Sequence, residues 1–328
     1  MTNQVGIYRM QLITGGMGFI GIHTTRALLD LGESCVLTTN SGTTRGTDLI
    51  GAEIGRRVFV EQLNVDDLAA ILNLRRRHAI TGVIHLSGAS WLGSAELMRA
   101  NAVQLTNVLR AAEVWGLKRV SLASTIGVYV GAMASGGLFR EDMPLPMSAP
   151  HPIPAFKKVA EILGQTVGAA GGFEVISFRF GAWGPLFHHP PSPVSIFPQL
   201  AQAAVQGRSL DASQPQSRAF AEDGSDLCYV KDCARGIALL QMTERLNHRI
   251  YNIGNGRPIT NQEFAAALQK AVPEAKIELP AGFDPLGFGR PAGLDITRLR
   301  EDTGFEPLYD LASGVADYVD WLRAGHEY

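Results

Sequence analysis

Three glycines carry the sharpest chemical signal in this chain. Gly15, Gly18 and Gly21 fall in the run Thr14-Gly15-Gly16-Met17-Gly18-Phe19-Ile20-Gly21. Gly15 can take a tight turn. Gly18 removes a side chain where a pyrophosphate must approach the backbone, and Gly21 lets a helix pack closely on a strand. If a helix starts here, Phe19 and Ile20 sit at its N-terminus, where free N–H groups and a partial positive charge face an anion. Such a turn has meaning only between a strand and a helix. A second set of side chains can line a ligand pocket: Ser87, Ser90 and Trp91, then Trp183 with Phe180 and Phe187. His188 and His189 are adjacent and have no acidic or thiol partner nearby, so no metal site is predicted.

The elements that must hold these residues follow from periodicity. Residues 10–14 read as a strand and 19–31 as a helix closed by Gly32, which gives the glycine turn its required context. Further strands are predicted at 34–39, 58–63, 82–87, 119–124 and 173–179, with helical stretches at 66–78, 95–115 and 157–169 between them. Strand–helix alternation of this kind specifies an α/β fold with a doubly wound parallel sheet. Ser87, Ser90 and Trp91 then follow the fourth strand, at the carboxyl edge where open sheets bind ligands. Residues 184–198 contain five prolines and read as a loop. Helix is predicted again at 197–206, 232–242, 261–271 (with Thr260 as N-cap) and 311–322, and strand at 227–230 and 250–253.

The motifs in this order resemble the extended short-chain dehydrogenase/reductase superfamily, the group of NAD-dependent epimerases and dehydratases. The glycine spacing is similar to that group's turn. Val83-Ile84-His85-Leu86-Ser87-Gly88 resembles its fourth-strand element, and the stretch from Asn101 resembles its following helix. Residues 120–129, Arg179 with Trp183-Gly184-Pro185, Tyr229-Val230-Lys231-Asp232 and Tyr251-Asn252-Ile253-Gly254 resemble later elements. The likeness covers nearly the whole chain. It implies a Rossmann fold at 1–180, to which 226–254 return. It also implies a smaller, sequence-discontinuous α/β substrate lobe from 181–225 and 255–310, and a C-terminal helix at 311–328.

The resemblance also implies roles. Gly15, Gly18, Phe19, Ile20, Gly21, Leu86 and Ser87 would line the dinucleotide, with Asn64 and Val65 near its adenine. The end of the second strand carries Thr39 where an acid commonly bonds the adenosine ribose, and Arg45 follows, able to pair with a 2′-phosphate. NADP is therefore favoured over NAD. Thr125 fits a hydroxyl that bonds the substrate oxygen, and Lys157 a lysine that holds the nicotinamide ribose, with Lys158 as the other register. The superfamily's Tyr-x-x-x-Lys pair is broken. Four residues before these lysines stand Ile153 and Pro154, and no tyrosine occurs between Tyr129 and Tyr229. Neither isoleucine nor proline can exchange a side-chain proton. Three readings stay open: the site has lost its redox chemistry, another acid such as His151 serves (with Tyr129 and His188 behind it), or no protein acid of that strength is needed. Ser225 stands near the place where relatives carry a phosphate-binding arginine. Arg290 lies where they often carry another.

The reading is thus an enzyme moving a hydride between a nicotinamide and a hydroxyl or carbonyl carbon of a small, polar, sugar-like substrate. The alternative is a cofactor-binding sensor or scaffold. A homodimer pairing through helices at 95–115 and 157–168 is implied as well. Composition bounds all of this. At about 150 residues per domain, 328 residues suggest roughly two domains. Lys plus Arg total 29 and Asp plus Glu 31, and the resulting charge of −2 argues against a nucleic-acid or anionic-membrane partner. Three cysteines fit a reducing, cytoplasmic setting, and neither a leader pattern nor a spanning apolar run is found.

Overall fold

Seven strands make the central sheet of the computed structural model, which describes residues 9–40, 46–88, 93–134, 137–186, 195–209, 219–285, 287 and 291–326. They are β1 (Met10–Thr14), β2 (Ser34–Thr39), β3 (Val58–Gln62), β4 (Ile80–His85), β5 (Arg119–Ala123), β7 (Glu174–Phe180) and β11 (Ile250–Ile253). Their order is β11-β7-β5-β4-β1-β2-β3. The pairs β1–β2, β1–β4, β2–β3, β4–β5 and β5–β7 are all parallel. Every residue of β1 and β2 is buried, as a sheet covered by helices on both faces requires. Strand order reverses between β1 and β4, so their carboxyl ends form the switch point.

The helices are α1 (Phe19–Asp30), α2 (Leu68–Leu74), α3 (Ala95–Trp115), α4 (Pro152–Gly171), α5 (Phe197–Val205), α6 (Val230–Met242), α7 (Asn261–Ala271), α8 (Thr297–Thr303) and α9 (Leu311–Arg323). Each starts for a local reason. Ser94 caps α3 by accepting from Leu97 N at 3.2 Å, and Gly116 ends it in the left-handed region. Thr260 caps α7 in a full capping box with Glu263. The prediction for α4 needs correction. It begins at Pro152, five residues before the predicted start, because a proline in the first turn gives up only an N–H that has no intrahelical partner. Residue 153 therefore lies on the helix, one turn before Lys157. Likewise the predicted 184–198 loop ends sooner, since α5 starts at Phe197.

Six two-residue strands are found among the described residues: β6 (Leu138–Phe139), β8 (Ala182–Trp183), β9 (Gly224–Ser225), β10 (Cys228–Tyr229), β12 (Ile259–Thr260) and β13 (Gly293–Leu294), with β10 pairing β8. The chain divides into two units. The first comprises Met1–Val128, Met147–Arg179 and Ala234–Tyr251, and the second Tyr129–Pro146, Phe180–Cys233 and Asn252–Tyr328. Within the first, Arg119 binds the returning segment. Its Nη1 donates to the carbonyls of Leu240 (3.0 Å) and Gln241 (3.1 Å), and its Nη2 pairs with Glu174 at 2.6 Å. A guanidinium there satisfies carbonyls that the end of α6 leaves open. Among the described residues, no helix is long and apolar enough to cross a membrane.

Candidate active site

The glycine turn joins β1 to α1 as its spacing predicts. Gly15 adopts φ +67°, and its N–H donates to Thr38 Oγ1 at 3.3 Å. Gly18 N donates to Gly15 O at 3.0 Å, and Gly18 is the N-cap of α1 with no side chain to fill that role. No acidic residue stands in the first turn of α1. Phe19 and Ile20 thus open a helix whose N-terminal donors have no side-chain cap or counter-charge from their own turn. A Cβ on Gly21 would lie 2.5 Å from Gly15 O and 2.6 Å from Gly16 O, so Gly21 is fixed by backbone approach. A Cβ on Gly18 would meet only Gly15 O, at 3.1 Å. These features fit the pyrophosphate of a dinucleotide, which the uncapped α1 terminus would hold.

Around the turn, Thr39 closes β2 and is 9% exposed. Asn64 Oδ1 accepts from Asp66 N at 3.1 Å, and Asn107 Nδ2 on α3 donates to the carbonyls of Val65 (3.0 Å) and Asp66 (2.8 Å). The Asn64–Val65 turn is thereby held in place. Leu86 and Ser87 follow β4 and are half-buried. Ser87 Oγ donates to Thr14 Oγ1 at 3.1 Å, and Thr14 Oγ1 lies 2.7 Å from His85 Nδ1. Burial, helped by the nearby charge of Lys157, pushes the His85 pKa down to about 3. His85 is accordingly neutral at physiological pH. Thr14 Oγ1 and His85 Nδ1 share one hydrogen bond, whose donor is set by the tautomer of the neutral imidazole.

The next group centres on α4. Glu161 is buried and receives Arg179 in a fork, Nε to Oε1 at 2.9 Å and Nη2 to Oε2 at 2.6 Å. Ser124 Oγ donates to Glu161 Oε1 as well. Ser124 is thus committed to the core, while the neighbouring Thr125 is half-buried. Thr125 Oγ1 accepts from Gly127 N at 3.1 Å, which leaves its hydroxyl proton to donate elsewhere. A Cβ on Gly127 would lie 3.6 Å from Pro154 Cβ, so the Thr125–Gly127 turn packs beside the first turn of α4. Lys157 is 6% exposed, and its Nζ has no hydrogen bond or ion pair among the described residues. Burial pushes its pKa down from 10.5 to about 8, opposed by the Glu161 charge. His151 is the N-cap residue of α4, and burial lowers its pKa too.

Residues 11–254 match the NAD dependent epimerase/dehydratase family. The chain belongs to that family. It is 27% identical over 296 residues to UDP-glucose 4-epimerase of Mus musculus, covering 79% of this chain and 81% of that one. It is 28% identical over 334 residues to UDP-N-acetyl-alpha-D-glucosaminuronate decarboxylase of Bacillus cytotoxicus, covering 95% and 97%. The solved UDP-glucose 4-epimerase of Thermotoga maritima superposes with a TM-score of 0.79 at 21% identity, over 96% of this chain and 99% of that one. The doubly wound fold, the NAD-binding family and the enzyme class agree with the sequence reading. The sensor-or-scaffold alternative gains nothing from relatives that carry enzyme names.

As a family member the chain is notable for what surrounds Lys157. Ile153 shares its helical face at four residues' spacing, and Pro154 is buried. Tyr129, one of the alternative acids, is buried with its hydroxyl donating to Asn252 Oδ1 at 2.8 Å. Trp183 lies in the core of the second unit, 1% exposed, with Nε1 donating to Leu227 O at 3.1 Å. Its edge reaches a cavity of about 490 Å³ in that unit, also lined by Tyr229, Arg257, Arg300 and Tyr309. Ser225 lies in β9. Arg45, Ser90, Trp91, His188 and Arg290 lie outside the described residues. Among those described, no cluster of His, Cys, Asp and Glu could hold a metal ion. The Thr14–His85–Ser87 chain and the Ser124–Glu161–Arg179 group were not singled out as site residues from sequence. Their only signal was membership in the motifs around Ser87, Thr125 and Arg179.

The depressed pKa of Lys157 has a thermodynamic sign. The fold prefers the neutral amine, so the charged form costs stability at pH below about 8, and that cost fades as pH rises towards 10.5. Lys157→Met is expected to raise stability at pH 7 by roughly 2–3 kcal/mol, and by little at pH 10.5. Melting temperatures of the two proteins across that range check it. A constant difference between them would exclude a buried amine as its cause.

Proposed function

We propose that this enzyme uses a nicotinamide dinucleotide to move a hydride to or from a hydroxyl-bearing carbon of a sugar-like substrate. The observation that carries this reading is the uncapped, acid-free N-terminus of α1, which follows the carboxyl end of β1 through the glycine turn. Gly15, Gly18, Phe19, Ile20 and Gly21 hold the pyrophosphate through backbone N–H groups. Asn64 and Val65 face the adenine, and Leu86 and Ser87 the middle of the dinucleotide. Thr125 donates to the substrate oxygen, and Lys157 holds the nicotinamide ribose. A nicotinamide held by these residues would supply the hydride chemistry. His151 at the start of α4 is a second candidate for proton exchange. The first unit is the nucleotide-binding domain and the second the substrate lobe, in which Trp183 and Arg290 are candidates for substrate recognition.

Thr39 places no carboxylate against a 2′-phosphate, and Arg45 follows it. NADPH is therefore expected to bind at least as tightly as NADH. Fluorescence titration with both cofactors decides this, and a clear preference for NADH overturns it. UDP-glucose, dTDP-glucose and free sugars, each supplied with NAD or NADP, test the substrate class. A protein that binds cofactor and turns over none of a broad panel of alcohols and carbonyls is not acting as this enzyme. The chain is further proposed to be a cytoplasmic homodimer paired through α3 and α4. On these helices Val114, Val159 and Ile162 are exposed to 52%, 54% and 69%. A monomer by light scattering refutes the pairing.

A further inference from the structure

We propose that Lys157 is itself the group that exchanges a proton with the substrate oxygen, rather than an electrostatic helper of another acid. The inference rests on the hydride-transfer reading above and deepens it. Three observations lead to it. First, the side chains that share the Lys157 face one turn away on α4 are Ile153 and Glu161. Ile153 has no proton to give. Glu161 is occupied by the Arg179 fork and by Ser124. Second, Lys157 is 6% exposed and its Nζ has no hydrogen bond or ion pair among the described residues, an environment that favours a free amine over an ammonium. Third, the first turn of α4 packs beside the residues that follow β4 and β5: a Cβ on Gly93 would lie 2.8 Å from Pro152 Cγ, and one on Gly127 3.6 Å from Pro154 Cβ. Lys157, one turn further along α4, therefore follows a turn set at the carboxyl edge of the sheet, where ligands of such sheets react.

The charged and titratable groups facing the amine are Glu161 with its partner Arg179, and His85. Glu161 is held by Arg179 yet its charge still favours the ammonium, and His85 is neutral. None competes with the amine for a substrate proton. In the oxidative direction the hydroxyl proton of the substrate passes to the neutral Nζ, making an ammonium. The O–H electron pair becomes the second bond of the carbonyl as the carbinol C–H leaves, with its own electron pair, as hydride to an oxidised nicotinamide. The reverse direction returns the same proton from the ammonium. The Thr125 hydroxyl, in the turn that packs beside the start of α4, would donate to the same substrate oxygen throughout. The depressed pKa of Lys157 suits this exchange near neutral pH.

Two measurements test the proposal. NMR of protein carrying ¹³Cε-lysine, titrated without cofactor, is expected to show one lysine with a midpoint near 8 that vanishes in Lys157→Met. If every lysine titrates above about 10, the proposal fails. Turnover is the second. Lys157→Arg keeps a positive charge and hydrogen-bond donors but cannot lose a proton at working pH. Its dinucleotide affinity is measured alongside, since Lys157 also holds the nicotinamide ribose, and its turnover at saturating cofactor is expected to fall at least about 100-fold. Adding Ile153→Tyr to it is expected to restore at least about tenfold, because a phenol can then carry the proton. Lys157→Arg retaining turnover within about tenfold overturns the proposal. So does a His151→Gln variant that loses as much while Lys157→Arg stays active. Failure of the wild type to bind any nicotinamide dinucleotide instead overturns the underlying reading, a result the lysine titration cannot produce.

Discussion

Glu161→Ala is expected to be the most destabilising single change in the first unit, lowering the unfolding free energy by about 3–5 kcal/mol. Glu161 and Arg179 are exposed to only 4% and 2%, and their two hydrogen bonds of 2.9 and 2.6 Å exchange both carboxylate oxygens for water. Removing the carboxylate leaves the guanidinium in the core without that counter-charge, and leaves the Ser124 hydroxyl without its acceptor. Most of the loss is this desolvation cost rather than the intrinsic worth of the pair. The paired replacement Glu161→Leu with Arg179→Met is therefore expected to recover much of it. Glu113→Ala makes a useful contrast. Its partner Arg110 and Glu113 itself are exposed to 58% and 46%, so a change within about 0.5 kcal/mol is expected. Urea unfolding of the four proteins measures all of these. A Glu161→Ala midpoint matching that of Glu113→Ala contradicts the role given to the buried fork. Because Ser124 adjoins Thr125, Glu161→Gln, which keeps an acceptor oxygen, is expected to lose less stability than Glu161→Ala.

The second large effect lies in the glycine turn. Gly21→Ala places a methyl group 2.5 and 2.6 Å from two backbone oxygens, distances that no rotamer can relieve. Either α1 moves off β1 or the Gly15–Gly16 peptides rotate, and both displace the N–H groups meant for the pyrophosphate. Dinucleotide affinity is expected to fall at least about 100-fold, or about 2.7 kcal/mol. Gly18→Ala meets one atom at 3.1 Å and leaves the packing of α1 intact. Its effect is expected on affinity alone, through crowding of the bound phosphates, with the melting temperature nearly unchanged. Calorimetric titration with NADH and NADPH, together with melting curves, separates the two. Equal affinity of Gly21→Ala and the wild type would falsify the assignment of this turn as the phosphate cradle.

Much of the fold is legible from residue order because its signals are local. The strand-turn-helix around Gly15, the cap at Thr260, and apolar periods along α3 and α9 each depend on neighbours within a turn or two. The two-residue strands have no such signal. β6 exists because Gly293 and Leu294 reach Leu138 and Phe139 across the chain, and a dipeptide carries no period. The start of α4 was obscured differently. Pro152 and Pro154 look like loop punctuation, yet a first helical turn has no intrahelical use for their N–H groups. Trp183 shows the limit of residue type, since an aromatic ring suits a pocket wall and a core equally. Here it packs among Phe197, Tyr229, Phe264 and Tyr318. The fork between Glu161 and Arg179 has no sequence signal of its own, because the motif that marks Arg179 does not name its partner 18 residues away. Only the fold brings α4 and β7 together.

The early start of α4 bears on how this site could change. Since the helix already runs from Pro152, residue 153 holds a helical backbone one turn before a buried lysine. A phenol introduced there needs no insertion, no new turn and no shift of register. What the chain lacks at that point is one functional group on an existing scaffold. The route back to a tyrosine-bearing site is therefore a side-chain exchange, and a family member of this kind can be converted experimentally without rebuilding the fold.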